Sequence, residues 1–103
     1  MAFELISRDV GLSDRVRQEI LAKIGKLDKF LTDLPDNAFF LRVVLSRNQK
    51  NPHWTDALLD LALPGNVLIG SESASTPAHA VHLAVINLER QLDQRKERLK
   101  PYI

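Results

Sequence analysis

Residues 39–63 read FFLRVVLSRNQKNPHWTDALLDLAL, two alternating runs joined by a polar turn. Apolar and polar side chains alternate over residues 39–46 and again over residues 55–63, which is the period of a strand with one well-buried face. The turn between the runs is polar and ends in Asn51 and Pro52. The pattern predicts a β-hairpin in which Asp60 points away from the core.

On the C-terminal side of this hairpin, the segment Pro64-Gly65-Asn66 predicts a tight connection to another strand over residues 67–73. Thr76 is then suited to cap a helix, because Pro77 follows it at the first helical position, where a missing N–H costs nothing. This helix is predicted to run to about residue 99, close to Pro101.

On the N-terminal side, residues 3–7 have the apolar spacing and the polar ending of a short strand. Ser13 offers a capping oxygen for a following helix. The apolar stripe at helical spacing extends this helix over residues 14–31. Proline at position 35 then ends it.

The predicted order is therefore β-α-β-β-β-α, an α+β fold that forms one domain over residues 1–103. A right-handed crossover places the first strand parallel to the second, and the hairpins extend the sheet to four strands. Each helix has one apolar stripe, and the strands have one strongly apolar face. Both helices are therefore predicted to pack on the same face of the sheet.

The composition excludes several kinds of site and partner. Zero cysteines rule out disulfides, thiolate zinc sites and a thiol nucleophile. No leader and no membrane-spanning apolar run is visible, so we expect a cytoplasmic protein that does not act at a membrane. Lys and Arg total 14 against 13 Asp and Glu. A charged partner would therefore have to be met by a local patch.

Both helices sort their charges by flank when they are drawn at about 100° per residue. One flank of the first helix is basic, apart from Glu19, and it carries Arg15, Lys23, Lys26 and Lys29. One flank of the second helix carries Arg90, Arg95 and Arg98, and the other carries Glu89, Asp93 and Glu97 with Lys96 and Lys100. Basic flanks that met over the groove between the helices would hold a charged partner, although the sequence does not fix which flanks meet. The alternative is that these charges only solvate the helix surfaces.

Four segments, taken in order, carry a resemblance to a known family: residues 5–13 (LISRDVGLS), 22–30 (AKIGKLDKF), 61–66 (LALPGN) and 88–92 (LERQL) with the basic residues after it. The chain resembles the ribosome hibernation promoting factors, also described as ribosome-associated inhibitor or sigma-54 modulation proteins. It departs from the family pattern at Ser7, where glycine is usual, and at Ala78 and His82, where an aromatic and an acidic residue are usual.

The resemblance implies a protein that binds the small ribosomal subunit at the decoding region, against ribosomal RNA. It would block translation reversibly, without chemistry, as part of a stationary-phase stress response. The residues that match the family's phosphate contacts are Lys23, Lys26, Lys29, Arg90, Arg95, Lys96, Arg98 and Lys100. Because the chain ends just after the second helix, it resembles the short form, which acts with a separate ribosome modulation factor.

Two clusters of reactive residue types carry no predicted chemistry. His79 and His82 lie three residues apart and would need a third metal ligand such as His53 or Asp56, so exposed helix histidines are the favoured interpretation. The serines at positions 71, 73 and 75 lack a nucleophile elbow and a partner acid. We therefore predict no enzyme, no metal and no cofactor.

An alternative function uses the second face of the sheet. Phe40, Val44 and Leu58 are predicted to lie there, and Leu83 and Ile86 point away from the apolar stripe of the second helix. A cluster of exposed apolar groups marks a protein partner. The alternative is therefore a homodimer or a protein-interaction module of the same fold that has lost ribosome binding.

Overall fold

The elements follow the predicted order. The structure, a computed structural model, describes the backbone of residues 2–99 and the side chains of residues 2–94. Four strands and two α-helices are present, with two short 3₁₀ segments after the first helix. Their bounds are β1 Phe3–Arg8, α1 Asp14–Gly25, the 3₁₀ segments Lys26–Phe30 and Asp36–Ala38, β2 Phe40–Arg47, β3 Thr55–Leu63, β4 Asn66–Ala74 and α2 Pro77–Leu99.

The four strands form one mixed sheet in the order β1-β2-β3-β4. Strand β1 runs parallel to β2, with Phe3 opposite Leu41, and the two later pairings are antiparallel. The parallel pair is the product of the α1 crossover, since a parallel neighbour cannot be reached through a tight turn. The predicted α+β fold, its order and its sheet are confirmed.

The core lies between one face of the sheet and both helices. Every second residue of β2 and β3 is buried there, and α1 and α2 each contribute one apolar stripe. The core residues without any exposed surface are Ile20, Leu27, Leu41, Val43, Leu45, Ala57, Leu59, Leu61, Ala80, Val81, Ala84 and Leu88. Asp60 lies on the opposite face, as predicted, because it alternates with buried Leu59 and Leu61.

Helix α1 is shorter than the sequence pattern predicts. The α-helix ends at Gly25, and Lys26–Phe30 continues as a 3₁₀ segment that stops where the Leu31 N–H donates to the Asp28 carbonyl at 3.0 Å. Glycine weakens a helix interior by about 1 kcal/mol. The tighter winding keeps Leu27 buried and brings side chains three residues apart into line. Lys26 and Lys29 therefore project on the same side.

Helix α2 begins where the sequence predicts and crosses β4 closely. The Thr76 hydroxyl accepts a hydrogen bond from the His79 N–H at 3.2 Å, which caps the helix. The helix crosses closely over Gly70, where an added Cβ would lie 2.8 Å from the Ala84 carbonyl oxygen. Within the described part of the chain, no helix has both the length and the apolar character to cross a bilayer.

Candidate nucleic-acid interface

Two of the predicted contact residues lie together at the end of α1. Lys23 is half-buried in the last turn of the helix, and Lys26 opens the 3₁₀ segment with an exposed side chain. Both ammonium groups are close enough to His82 of α2 to lower its pKa. The structure therefore brings these two lysines to the groove between α1 and α2.

Lys29 extends the same row by one 3₁₀ turn. Its ammonium lies 5.1 Å from the centroid of the Phe30 ring, a cation–π distance. Such a contact at an exposed site holds a side chain only weakly, so Lys29 stays available to an anion. We call Lys23, Lys26 and Lys29 the lysine row.

The orientation of α2 is fixed by two amide side chains that reach the edge strand β4. The Asn87 amide donates to the Glu72 carboxylate at 3.3 Å. The Gln91 amide donates to the Ile69 carbonyl at 2.7 Å and to the Asn87 side chain at 2.8 Å. This flank of α2 therefore covers the edge of the sheet, and the opposite flank, with His82 and Glu89, faces α1.

Arg90 is exposed and does not join the lysine row. It lies about 100° round the helix from both Glu89 and Gln91, opposite the buried stripe, so it points into solvent. Up to residue 94, the groove flank of α2 thus carries imidazole and carboxylate groups rather than arginine. The side chains of Arg95, Lys96 and Arg98, and all of Lys100, lie outside the described residues, and their role in binding stays a prediction.

The remaining basic residue of this flank, Arg15, is partly neutralised. Its guanidinium lies 3.5 Å from the Glu19 carboxylate, one helical turn away, with 91% and 47% of the two side chains exposed. Exposed pairs of this kind contribute little to stability. The positive charge of the flank is therefore concentrated at the lysine row.

His82 was predicted to be an exposed helix histidine, and the structure instead places it partly buried in the candidate site. His79 is exposed as predicted, whereas His82 is half-buried beside it, with ring centroids 6.2 Å apart. Its Nδ1 atom is buried and has no hydrogen-bond partner among residues 2–94. The sequence did hold a signal for this burial. His82 follows Val81, which belongs to the buried apolar stripe of α2, and it lies on the side of that stripe that faces α1.

Burial lowers the pKa of His82 below its ordinary value of 6.5, and the charges of Lys23, Lys26 and His79 lower it further, while Glu89 acts in the opposite direction. The ring is therefore neutral near pH 7. Within residues 2–94, no three side chains of His, Cys, Asp or Glu come together in a way that would hold a metal ion.

The lowered pKa gives a testable pH dependence of stability. An unfolded chain protonates His82 near pH 6.5, but the folded protein resists protonation until a lower pH. The unfolded state therefore binds more protons in this window, so the contribution of His82 is intact above pH 6.5 and is lost as the pH falls. We expect the Tm to drop between pH 7.5 and pH 5, and by less in His82→Gln.

His53→Gln is the matched control for this measurement, because His53 lies in the β2–β3 turn and its side chain is exposed. Its Tm should follow the parent at every pH. A drop in Tm that is equally large in the parent and in His82→Gln would contradict the assignment.

Residues 3–100 match the family described as Sigma 54 modulation protein / S30EA ribosomal protein. The structure is similar to the N-terminal domain of Protein Y from Thermus thermophilus, with 27% identity, a TM-score of 0.72, and coverage of 92% of this chain and 99% of that one. A ribosomal subunit interface protein from Coxiella burnetii shares the fold, with 17% identity, a TM-score of 0.74, and coverage of 94% and 99%. No curated protein matches the chain in sequence.

Proposed function

Because the chain belongs to the Sigma 54 modulation protein / S30EA ribosomal protein family, we propose that it binds the small ribosomal subunit through ribosomal RNA at the decoding region. Bound there, it reversibly inhibits translation as a ribosome hibernation factor. The observation that carries this proposal is the family match, which spans residues 3–100. The cytoplasm, where ribosomes work, is the proposed site of action.

The lysine row supports the proposal through its chemistry. Ammonium groups on a rigid backbone neutralise phosphates and release counterions, and they read the shape of a nucleic acid rather than its bases. The exposed lysines at positions 26 and 29 lie on one side of the 3₁₀ segment, and Lys23 adjoins them in the groove. Near-neutral net charge makes this local patch, rather than long-range attraction, the source of binding.

The inhibition needs no chemical step, because a protein that occupies the path of messenger and transfer RNA blocks translation by exclusion alone. This accords with a site built of lysine and imidazole groups at the groove between α1 and α2. Cooperation with a separate ribosome modulation factor remains a prediction of the same proposal.

Sedimentation with purified ribosomal subunits tests the proposal. In buffer of about 0.1 M monovalent salt, the protein should pellet with small subunits and not with large ones, and rising salt should release it. Addition of the protein should also lower the yield of cell-free translation. If the protein stays in the supernatant when the small subunits pellet, even at low salt, the proposal is contradicted.

The open face of the sheet supports the second candidate, a homodimer or protein-interaction module. Exposed Phe40 and Leu58 lie there, together with Val67 and Ile69 of β4. The strand register places Phe40 and Val67 in one row and Leu58 in another. Between them runs a row of Glu4, Arg42 and Asp60 that ends at Ile69 on the edge strand. The Arg42 and Glu4 side chains are 3.7 Å apart. A charged row that divides the patch disfavours this candidate, and a monomeric mass in light scattering would exclude the homodimer.

A further inference from the structure

The β2–β3 turn presents an exposed indole. Trp54 precedes β3, and 42% of its surface is exposed, although tryptophan is usually well buried. It lines an open cavity of about 290 Å³ whose other walls include Arg47, His53 and Pro77. None of the lysine row lines this cavity.

Hydrogen bonds hold the turn in one conformation. The Asn48 side-chain oxygen accepts from the Lys50 and Asn51 N–H groups at 3.0 and 2.8 Å. The Asn48 N–H donates to the Trp54 carbonyl at 3.0 Å, and the Trp54 N–H donates to the Asn51 carbonyl at 2.9 Å. The backbone on both sides of the indole is therefore fixed before any ligand arrives, which lowers the entropic cost of binding.

One cationic side chain, Arg47, lines the same cavity as the indole. A second open cavity, of about 750 Å³, is lined by Arg8, Arg47 and Lys50, and Arg47 lines both cavities. The Arg47 Nε–H donates to the Asp9 carbonyl at 2.7 Å, which anchors the guanidinium. Its terminal nitrogens make no hydrogen bond within the described residues, so they are available to an anion that enters either cavity.

Two carboxylates also line the larger cavity, and they reduce the positive charge that a ligand would meet. The Asp56 carboxylate accepts hydrogen bonds from the Asn48 amide at 2.9 Å and from the Ser73 hydroxyl. Asp9 is the other, and the three cations of the cavity exceed the two carboxylates by one. A flat apolar ring beside an anchored guanidinium suits a ligand with an aromatic base and a phosphate.

We propose that Trp54 and Arg47 form a second RNA contact that takes an unpaired nucleotide, with its base stacked on the indole and its phosphate against Arg47. Arg8 and Lys50 extend the contact to the neighbouring phosphate. The inference rests on the proposed function for its RNA partner, but it concerns residues outside the lysine row. It predicts that single-stranded RNA binds better than duplex RNA, since paired bases cannot reach the indole.

Trp54 is the one tryptophan of the chain, so its fluorescence reports directly on this contact. Titration of the full chain with a single-stranded RNA decamer should quench the fluorescence to a plateau, and the same strand in a duplex should quench it far less.

Trp54→Ala should bind a labelled decamer about 5-fold to 100-fold more weakly in fluorescence anisotropy, whereas Trp54→Phe should stay closer to the parent. Arg47→Gln should lower the salt dependence by the equivalent of about one phosphate contact.

The proposal is overturned if decamer binds without changing the fluorescence, or if Trp54→Ala, folded by circular dichroism, binds within about twofold of the parent. A partner that is a protein would leave the RNA titrations flat, which also overturns it. Its failure is distinguishable from failure of the proposed function. If Trp54→Ala still pellets with small subunits as firmly as the parent, only the proposed second contact is contradicted. If the decamer quenches the fluorescence but the protein does not bind subunits, only the proposed ribosomal function is contradicted.

Discussion

Replacing Lys23 and Lys26 together by glutamate is expected to release the protein from small ribosomal subunits, with at least about a tenfold loss of affinity at moderate salt. The two lysines lie at the C-terminal end of α1 and the start of the 3₁₀ segment, and the charges of both lower the pKa of His82. Reversal of both charges removes two phosphate contacts and adds repulsion toward the same phosphates. Both effects weaken binding, so the pelleted fraction and its salt dependence measure them directly.

Arg15→Glu with Arg17→Glu is the matched control. It makes the same change in net charge on the same helix, in the first turns, where both side chains are exposed. Acidic side chains are favourable near a helix N-terminus, so this control variant should fold. It should pellet nearly as well as the parent. The slope of log affinity against log salt should fall by about two in the lysine variant and by much less in the control.

Equal loss of binding in the two double variants would mean that net charge, and not the lysine row, drives association. Retention of full binding by the lysine variant would move the site elsewhere on the molecule. The buried apolar neighbours of these lysines, Ile20 and Leu27, are unchanged in the variant, so a folding defect is not expected and circular dichroism would detect one.

The hairpin could be predicted from the sequence because each of its strands buries one face. In a strand with one solvent-exposed face, every second residue must be apolar. A shift of the β3 pairing register by one residue would therefore bury Asp56 and Asp60. The predicted strand limits agree with the observed ones to within one residue for this reason. The hydrophobic period alone was thus enough to predict both strands of the hairpin and which face of each strand is buried.

The end of α1 could not be predicted in this way. Ile24, Leu27 and Leu31 satisfy a helical period, and all three are buried, but the backbone changes from α to 3₁₀ after Gly25. Over one or two turns, the same apolar spacing fits both an α-helix and a 3₁₀ helix. The packing against α2 therefore decides which of the two forms. The sequence already placed Lys26 and Lys29 on one flank, and the 3₁₀ winding brings them more closely into line.

The site was predicted in part. The sequence identified the lysine row as one flank of a helix, but the flank of α2 that faces it depends on the interhelical packing. That packing turns Glu89 and His82 toward α1 and leaves Arg90 in solvent. The exposure of Trp54 could not be predicted for a related reason, because a period-two pattern describes the strands and says nothing about which turn residues stay exposed.

Gly70→Ala is expected to destabilise the protein by about 1 to 3 kcal/mol, the usual cost of overpacking, although alanine in place of glycine often stabilises a strand. The added Cβ would lie 2.8 Å from the Ala84 carbonyl oxygen and 3.2 Å from Leu88 Cγ. The first of these atoms is backbone and belongs to a hydrogen-bonded helix, so relief requires α2 to move away from β4. A larger side chain, as in Gly70→Val, should cost more.

Gly11→Ala is the matched control, because a Cβ at Gly11 would meet no atom within 4 Å. Urea denaturation should show this control within about 0.5 kcal/mol of the parent, while the midpoint for Gly70→Ala shifts to clearly lower urea. Because α2 also carries His82, its displacement should disturb the groove beside the lysine row and weaken subunit binding in the folded fraction. If Gly70→Ala unfolds at the same urea concentration as the parent, α2 does not lie as close to β4 as the structure places it, and the position of His82 beside Lys23 and Lys26 loses its support.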